Sequence, residues 1–287
     1  PDGRLEVLNI HCKTHQSMIV SAHMLRTTLS LFTAALAATP LLLAHPDHGT
    51  EPGEGPTEAV ITGNGALTYQ VVPGWGALPD GKIIGPTHGA VLEGPNGMIY
   101  ASTDGEQSIL VYKPDGTWVK NIAPQCQGFH AMAIREEDGK SFIYGAQLNA
   151  YGNKKRKKKT PLRVCKIDLD GNLVLEIPNK NTGKIEGGWG GVTGVTVAPD
   201  GSIFASMGYG SQKIHKFDQS GKHLLTFGGR GKGDGQFQTC HGLGIDTRFG
   251  EPRLLIADRE NRRLCHTDLE GKWIGVHATH LRRPCSV

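Results

Sequence analysis

From residue 88 onward, short apolar runs and Gly-centred turns follow one another in a fixed order. The first stretch reads His88-Gly-Ala-Val-Leu, Asn96-Gly97, Ile99-Tyr-Ala-Ser102, Ile109-Leu-Val-Tyr112 and Asp115-Gly116. The second reads His130-Ala-Met-Ala-Ile, Asp138-Gly139, Phe142-Ile-Tyr-Gly145, Arg163-Val-Cys-Lys-Ile167 and Asp170-Gly171. The third runs from Thr193 through Asp200-Gly201 to Ser220-Gly221, and the fourth from His241 through Leu255-Ile-Ala-Asp258 to Glu270-Gly271. The starts at 88, 130, 193 and 241 are 42, 63 and 48 residues apart, and Cys285-Ser-Val opens a fifth unit. Each unit predicts strand, X-Gly turn, strand, loop, strand, X-Gly turn, strand. Asn-Gly and Asp-Gly supply the positive φ that tight hairpins need. Four short antiparallel strands every ~40–45 residues is the blade of a β-propeller. One such sheet cannot bury both faces alone, so blades stack around an axis. The expected fold is therefore all-β.

The long second spacing has two sources. Residues 149–160 (NAYGNKKRKKKT) are inserted between two strands of that unit, and a Gly-rich loop covers Asn181 to Gly191. Leu67-Thr-Tyr-Gln-Val-Val72 reads as a strand outside the repeats, of the kind that completes a last blade and closes a ring. Six blades need roughly 250–270 residues. Residues 59–287 hold 229, so the propeller is expected to stop after about four complete blades and a closing strand.

The N-terminal region has no such pattern. Residues 1–23 read as a segment upstream of the native protein. Residues 24–44 combine Arg26, an apolar stretch and small residues, the pattern of a secretory signal peptide. The stretch is too short and interrupted for a good membrane span. Residues 45–58 form a polar Pro/Gly linker. The expected location is periplasmic or extracellular, with no integral membrane segment.

Composition sharpens this picture. Gly accounts for 40 of 287 residues, about twice the usual share, as a turn-rich sheet protein requires. Net charge is +4, and Lys154, Lys155, Arg156, Lys157, Lys158 and Lys159 alone supply +6. Nucleic acid is excluded as a partner by that local origin and by export. The run marks an exposed loop, and an anionic partner is the functional alternative to a merely solvated one.

His88, His130 and His241 share one slot, assigned to the first strand, which lines the channel of a propeller. Imidazoles from separate blades can meet there at zinc distances of about 2.0–2.1 Å. Such a metal polarises a hydroxyl or carbonyl oxygen. The slot's other occupants, Thr193 and Cys285, show that it also accepts small polar residues without a metal. Calcium is possible, but it needs several axial carboxylates and amides that these slots do not offer. Tyr209 follows a second strand, and a phenol beside a cation can serve as general base. Arg259, in the same loop type one unit on, can hold a carboxylate bidentately. Of six Cys, Cys126, Cys240 and Cys285 sit at unit starts, while Cys165 and Cys265 share a third-strand position in different blades. No pairing follows, and buried thiols are expected.

Gly231-Lys-Gly-Asp-Gly-Gln-Phe237, His241-Gly and Ala257-Asp-Arg-Glu-Asn-Arg-Arg-Leu264 resemble the NHL repeat over about residues 85–287. That family builds mostly six-bladed propellers. Within it the chain is most similar to the peptidylglycine α-amidating lyase domain, which cleaves a peptidyl-α-hydroxyglycine to a peptide amide and glyoxylate. The resemblance implies an axial zinc with His130 and His241 as ligands, Tyr209 as catalytic tyrosine and Arg259 as an active-site arginine. The family's third zinc histidine lies two blades beyond Val287, and its early-blade arginine has no match; His88 is a candidate from the slot alone. Met207 replaces an aspartate of the family's pattern. The implied substrate is a small peptide or carbinolamide-type compound. The alternative is a non-catalytic propeller that binds a protein or glycan through its loops.

Overall fold

The computed structural model describes residues 60–148 and 161–287. The upstream segment, the expected signal peptide, the linker and the Lys154–Lys159 run lie outside the described residues.

Sixteen of the strands fall into four antiparallel four-stranded sheets, each of strands consecutive in the chain. The first holds β3 (Val91–Glu93), β4 (Ile99–Ser102), β5 (Ile109–Tyr112) and β6 (Trp118–Ile122). The second holds β7 (Phe129–Glu137), β8 (Lys140–Gln147), β9 (Arg163–Asp168) and β10 (Leu173–Ile177). The third holds β11 (Gly194–Val197), β12 (Ile203–Ser206), β13 (Lys213–Phe217) and β14 (His223–Gly228). The fourth holds β15 (Cys240–Asp246), β16 (Arg253–Asp258), β17 (Arg263–Thr267) and β18 (Trp273–Ala278). These four blades match the four sequence units strand for strand.

Successive side chains of a strand point to opposite faces, and both faces are buried here. Ile143 packs with Tyr100, Ile109 and Val111 of the first blade. Its neighbour Tyr144 packs with Val195, Ile203 and Ala205 of the third. One blade on, Ile203 faces back to the second blade while Phe204 joins Leu243, Leu254 and Ile256 of the fourth. The cores thus lie between blades, in a propeller-like order. The first strands of successive blades are neighbours, with β11 between β7 and β15.

The outer hairpins are built by a recurring Asp. Oδ1 of Asp168 accepts the backbone N–H groups of Asp170 and Asn172, and Asp218 and Asp268 repeat the arrangement. The glycine that follows is required twice over. Gly171 has φ of +92°, and a Cβ there would stand 2.5 Å from the Ala123 nitrogen at the end of the preceding blade. Each hairpin tip therefore seats on its predecessor, which fixes the angular spacing of the blades.

Two expectations need correction. The strand expected over 67–72 is one arm of a hairpin, β1 (Ile61–Asn64) with β2 (Leu67–Gln70), turned at Asn64-Gly65. This hairpin belongs to a unit distinct from Gly74–Val287. No strand forms at Cys285-Ser-Val, although the Cys285 carbonyl lies where a Cβ on Gly242 would meet it at 2.7 Å.

Candidate active site

His130 and His241 stand in β7 and β15, the first strands of two blades, and both are buried. Their Nδ1 atoms make the same bond one blade apart. His130 Nδ1 lies 2.7 Å from the Thr193 carbonyl, and His241 Nδ1 lies 2.7 Å from the Cys285 carbonyl. A carbonyl only accepts, so each Nδ1 carries the proton and each Nε2 presents a lone pair. The ring centroids are 4.6 Å apart. Burial, followed by the smaller influence of His88 and Arg259, pushes His130 down to about 4, so it is neutral at pH 7.

Tyr209 closes the arrangement. Its hydroxyl is 3.3 Å from His130 Nε2 and 3.1 Å from His241 Nε2. Arg259 Nη1 donates to the same hydroxyl at 3.2 Å, with its guanidinium carbon 5.5 Å from the ring centroid. The phenol has a single proton, so it cannot donate to both imidazoles at once. The point between the two Nε2 atoms is thus suited to an electron-pair acceptor, and the Arg259 cation is held at its edge.

The loop that carries Tyr209 is tightly specified. Gly208 N–H donates to Thr193 Oγ1 and Tyr209 N–H to the Gly191 carbonyl. Buried Gln212 donates to the carbonyls of Gly208 and Gly210 and accepts from the N–H of Thr239, two residues before His241. Arg259 N–H in turn donates to the Thr239 carbonyl. Met207 is fully buried in the core between the second and third blades, with Gly190 N–H donating to its Sδ at 3.5 Å. A buried thioether, not a carboxylate, fits that position.

His88 differs from the expectation. It precedes β3 by three residues and lies outside the strand, and its side chain is 38% exposed. Its Nδ1 lies 2.5 Å from Oδ2 of buried Asp104. Its ring runs within 18° of parallel to that of His130, with centroids 6.2 Å apart. Among the described residues, no group of three or more His, Cys, Asp or Glu is arranged to hold a metal ion. The structure therefore brings His130, His241, Tyr209 and Arg259 together and sets His88 beside them, tied to Asp104.

Sequence reasoning missed Asp104, Gln212 and Thr193's role as hydrogen-bond hub. A signal for Asp104 exists, since Thr103-Asp104-Gly105 follows the second strand of its blade, as Tyr209 and Arg259 do in theirs. Nothing local marks Gln212, whose partners come from three separate segments.

No protein-family model matches the chain. Peptidylglycine α-amidating monooxygenase of Rattus norvegicus is 26% identical over 234 residues, covering 75% of this chain and 23% of that protein. The Mus musculus enzyme matches to the same extent. The chain thus spans about a quarter of the length of these curated relatives. Among solved structures, a virginiamycin B lyase of Staphylococcus aureus has a TM-score of 0.43 at 15% identity, over 65% of this chain and 53% of that one. A gluconolactonase of Xanthomonas campestris has a TM-score of 0.48 at 14% identity, over 69% and 63%. Among the described residues no helix is long and apolar enough to cross a membrane.

Proposed function

We propose that this is an exported NHL-type propeller, six-bladed in its full form, that cleaves peptidyl-α-hydroxyglycines to a peptide amide and glyoxylate. One observation carries the reading. The Tyr209 hydroxyl meets the Nε2 atoms of His130 and His241 from two other strands, with Arg259 donating to it. Weak similarity to the amidating enzymes supports it.

The donor chemistry fits zinc. Two neutral imidazoles have Nδ1 bonded to carbonyls, which fixes the tautomer a metal ligand requires and aims both Nε2 atoms at one region. Such an ion, when bound, polarises the oxygen of the substrate. His130 and His241 would hold it, with His88 as the further candidate. Calcium is disfavoured by this nitrogen-rich donor set.

The chain's own residues supply the rest. Arg259 binds the substrate carboxylate through its free guanidinium edge and keeps the phenol in register. Tyr209 takes the proton of the α-hydroxyl. As that O–H bond breaks, the C–O double bond forms and the C–N electron pair passes to the amide nitrogen, which gains a proton. The products are a primary amide and the aldehyde of glyoxylate, so atoms and charge balance.

The test is glyoxylate release from a short peptide ending in α-hydroxyglycine. We expect turnover by the protein as purified, loss after chelation, and recovery on adding zinc. A protein that binds zinc and folds but releases no glyoxylate overturns the reading and favours a loop-binding propeller.

A further inference from the structure

Cys126 ends the 3₁₀ turn Pro124–Cys126, which leads from the first blade into the second. Cys165 lies in β9, the third strand of the second blade. Both are fully buried in the same core cluster.

The turn is held against β9 from both sides of Cys126. Arg163 Nη2 donates to the Gln125 carbonyl at 3.0 Å, and Gln147 Nε2 donates to the Gln127 carbonyl at 2.8 Å. Those two side chains are themselves joined, Arg163 Nε to Gln147 Oε1 at 2.7 Å, and they face each other across β8 and β9. Cys165, two residues from Arg163, reaches the same Gln147 Oε1 at 3.6 Å. Gln125 Nε2 adds a bond to the Gly171 carbonyl beyond β9. Both neighbours of Cys126 are therefore fixed to the surroundings of Cys165, and the two thiols interact directly.

We propose that Cys126 and Cys165 are a disulfide site that ties the inter-blade turn to the third strand of the second blade. The oxidant is a disulfide of a small thiol, as an oxidising compartment supplies. The Cys126 thiolate attacks it and one small thiol leaves. Cys165 then displaces the second from the mixed disulfide. Two S–H bonds are lost, one S–S bond forms, and the small disulfide is reduced to two thiols. The neighbouring Cys165 thiol and the Arg163 guanidinium hold Cys126 below the usual thiol range, which favours it as the attacking sulfur. Exchange takes place as the blade folds, before both sulfurs are enclosed. The bond closes a ring of about 40 residues that contains β7 and His130.

The experiment refolds the full chain in oxidised and reduced glutathione, alkylates it under acid denaturation with and without reductant, and maps the peptides. The expected result is two fewer alkylated thiols without reductant, both mapping to Cys126 and Cys165. Cys165→Ser is expected to abolish the deficit, and Cys240→Ser to leave it. The oxidised wild type is expected to melt roughly 5–10 °C above the reduced form. Full alkylation without reductant, or a deficit mapping to other cysteines, overturns the proposal. Because the wild type is mapped directly, failure of a variant to fold does not shield it.

Discussion

The Tyr209 hydroxyl lies 3.1 Å from Nε2 of His241, although the two residues belong to different blades and are separated by 32 positions. Two chains of backbone bonds make this contact possible. Tyr209 hangs on Gly191 and on the Gln212 amide, while His241 is turned by the Cys285 carbonyl. The site is thus a product of blade-to-blade packing, and its integrity depends on residues that never reach a substrate.

Gln212 is the clearest of these. Its amide serves two carbonyls and one N–H in a buried setting, so Gln212→Leu leaves three backbone groups without their partner. At about 1 kcal/mol per bond the expected loss is ~2–3 kcal/mol of unfolding free energy, read from urea melts. Glyoxylate release is expected to fall in parallel as Tyr209 loses its register. An unchanged melt would show that the loop is held by other means.

Asp104 orients His88 as a carboxylate orients a metal-bound imidazole. Asp104→Asn keeps the shape and removes the charge. Zinc affinity, measured by competition with a chelating dye, is expected to drop about 10-fold or more if His88 completes the donor set. Wild-type affinity in this variant would remove His88 from the ligands and leave the site to His130 and His241.

Acid sensitivity follows from a second buried imidazole. His215 is completely enclosed, and burial, then the nearby His223 and Lys213, push it down to about 4. Its Nδ1 meets Thr226 Oγ1, which also meets His223 Nε2, and Trp189 stacks on its ring. The unfolded chain takes up this proton near pH 6.5 and the native one only near pH 4. Stability is therefore complete above pH 6.5 and declines as pH falls toward 4, by about 3 kcal/mol for this group. His130 adds a change of the same sign. Denaturant melts from pH 7 to pH 4.5 are expected to show the decline and His215→Gln to flatten it. A flat wild-type profile would contradict the assignment.

The fold was legible because each blade repeats the same local grammar. X-Gly turns mark hairpins, and apolar strands buried on both faces mark stacked sheets, so all sixteen blade strands could be located from the chain alone. The hairpin at Ile61–Asn64 was missed even though Asn64-Gly65 advertises it, since a strand of alternating small residues carries little apolar signal. His130, His241, Tyr209 and Arg259 were legible from their slots. The pairing of His88 with Asp104 and the approach of Cys126 to Cys165 were not. They depend on how a turn between blades seats against a neighbouring strand, and no spacing along the chain encodes that.

The central claim rests on one hydroxyl. Tyr209→Phe removes it while leaving the ring, which is exposed on one side and meets both imidazoles edge-on. The decisive measurement is kcat/KM for glyoxylate release by this variant, with zinc content and melting temperature recorded on the same sample. The account predicts an unchanged melt, retained zinc and a fall of about 10²–10⁴-fold. Wild-type turnover by a folded, zinc-loaded Tyr209→Phe protein would contradict it.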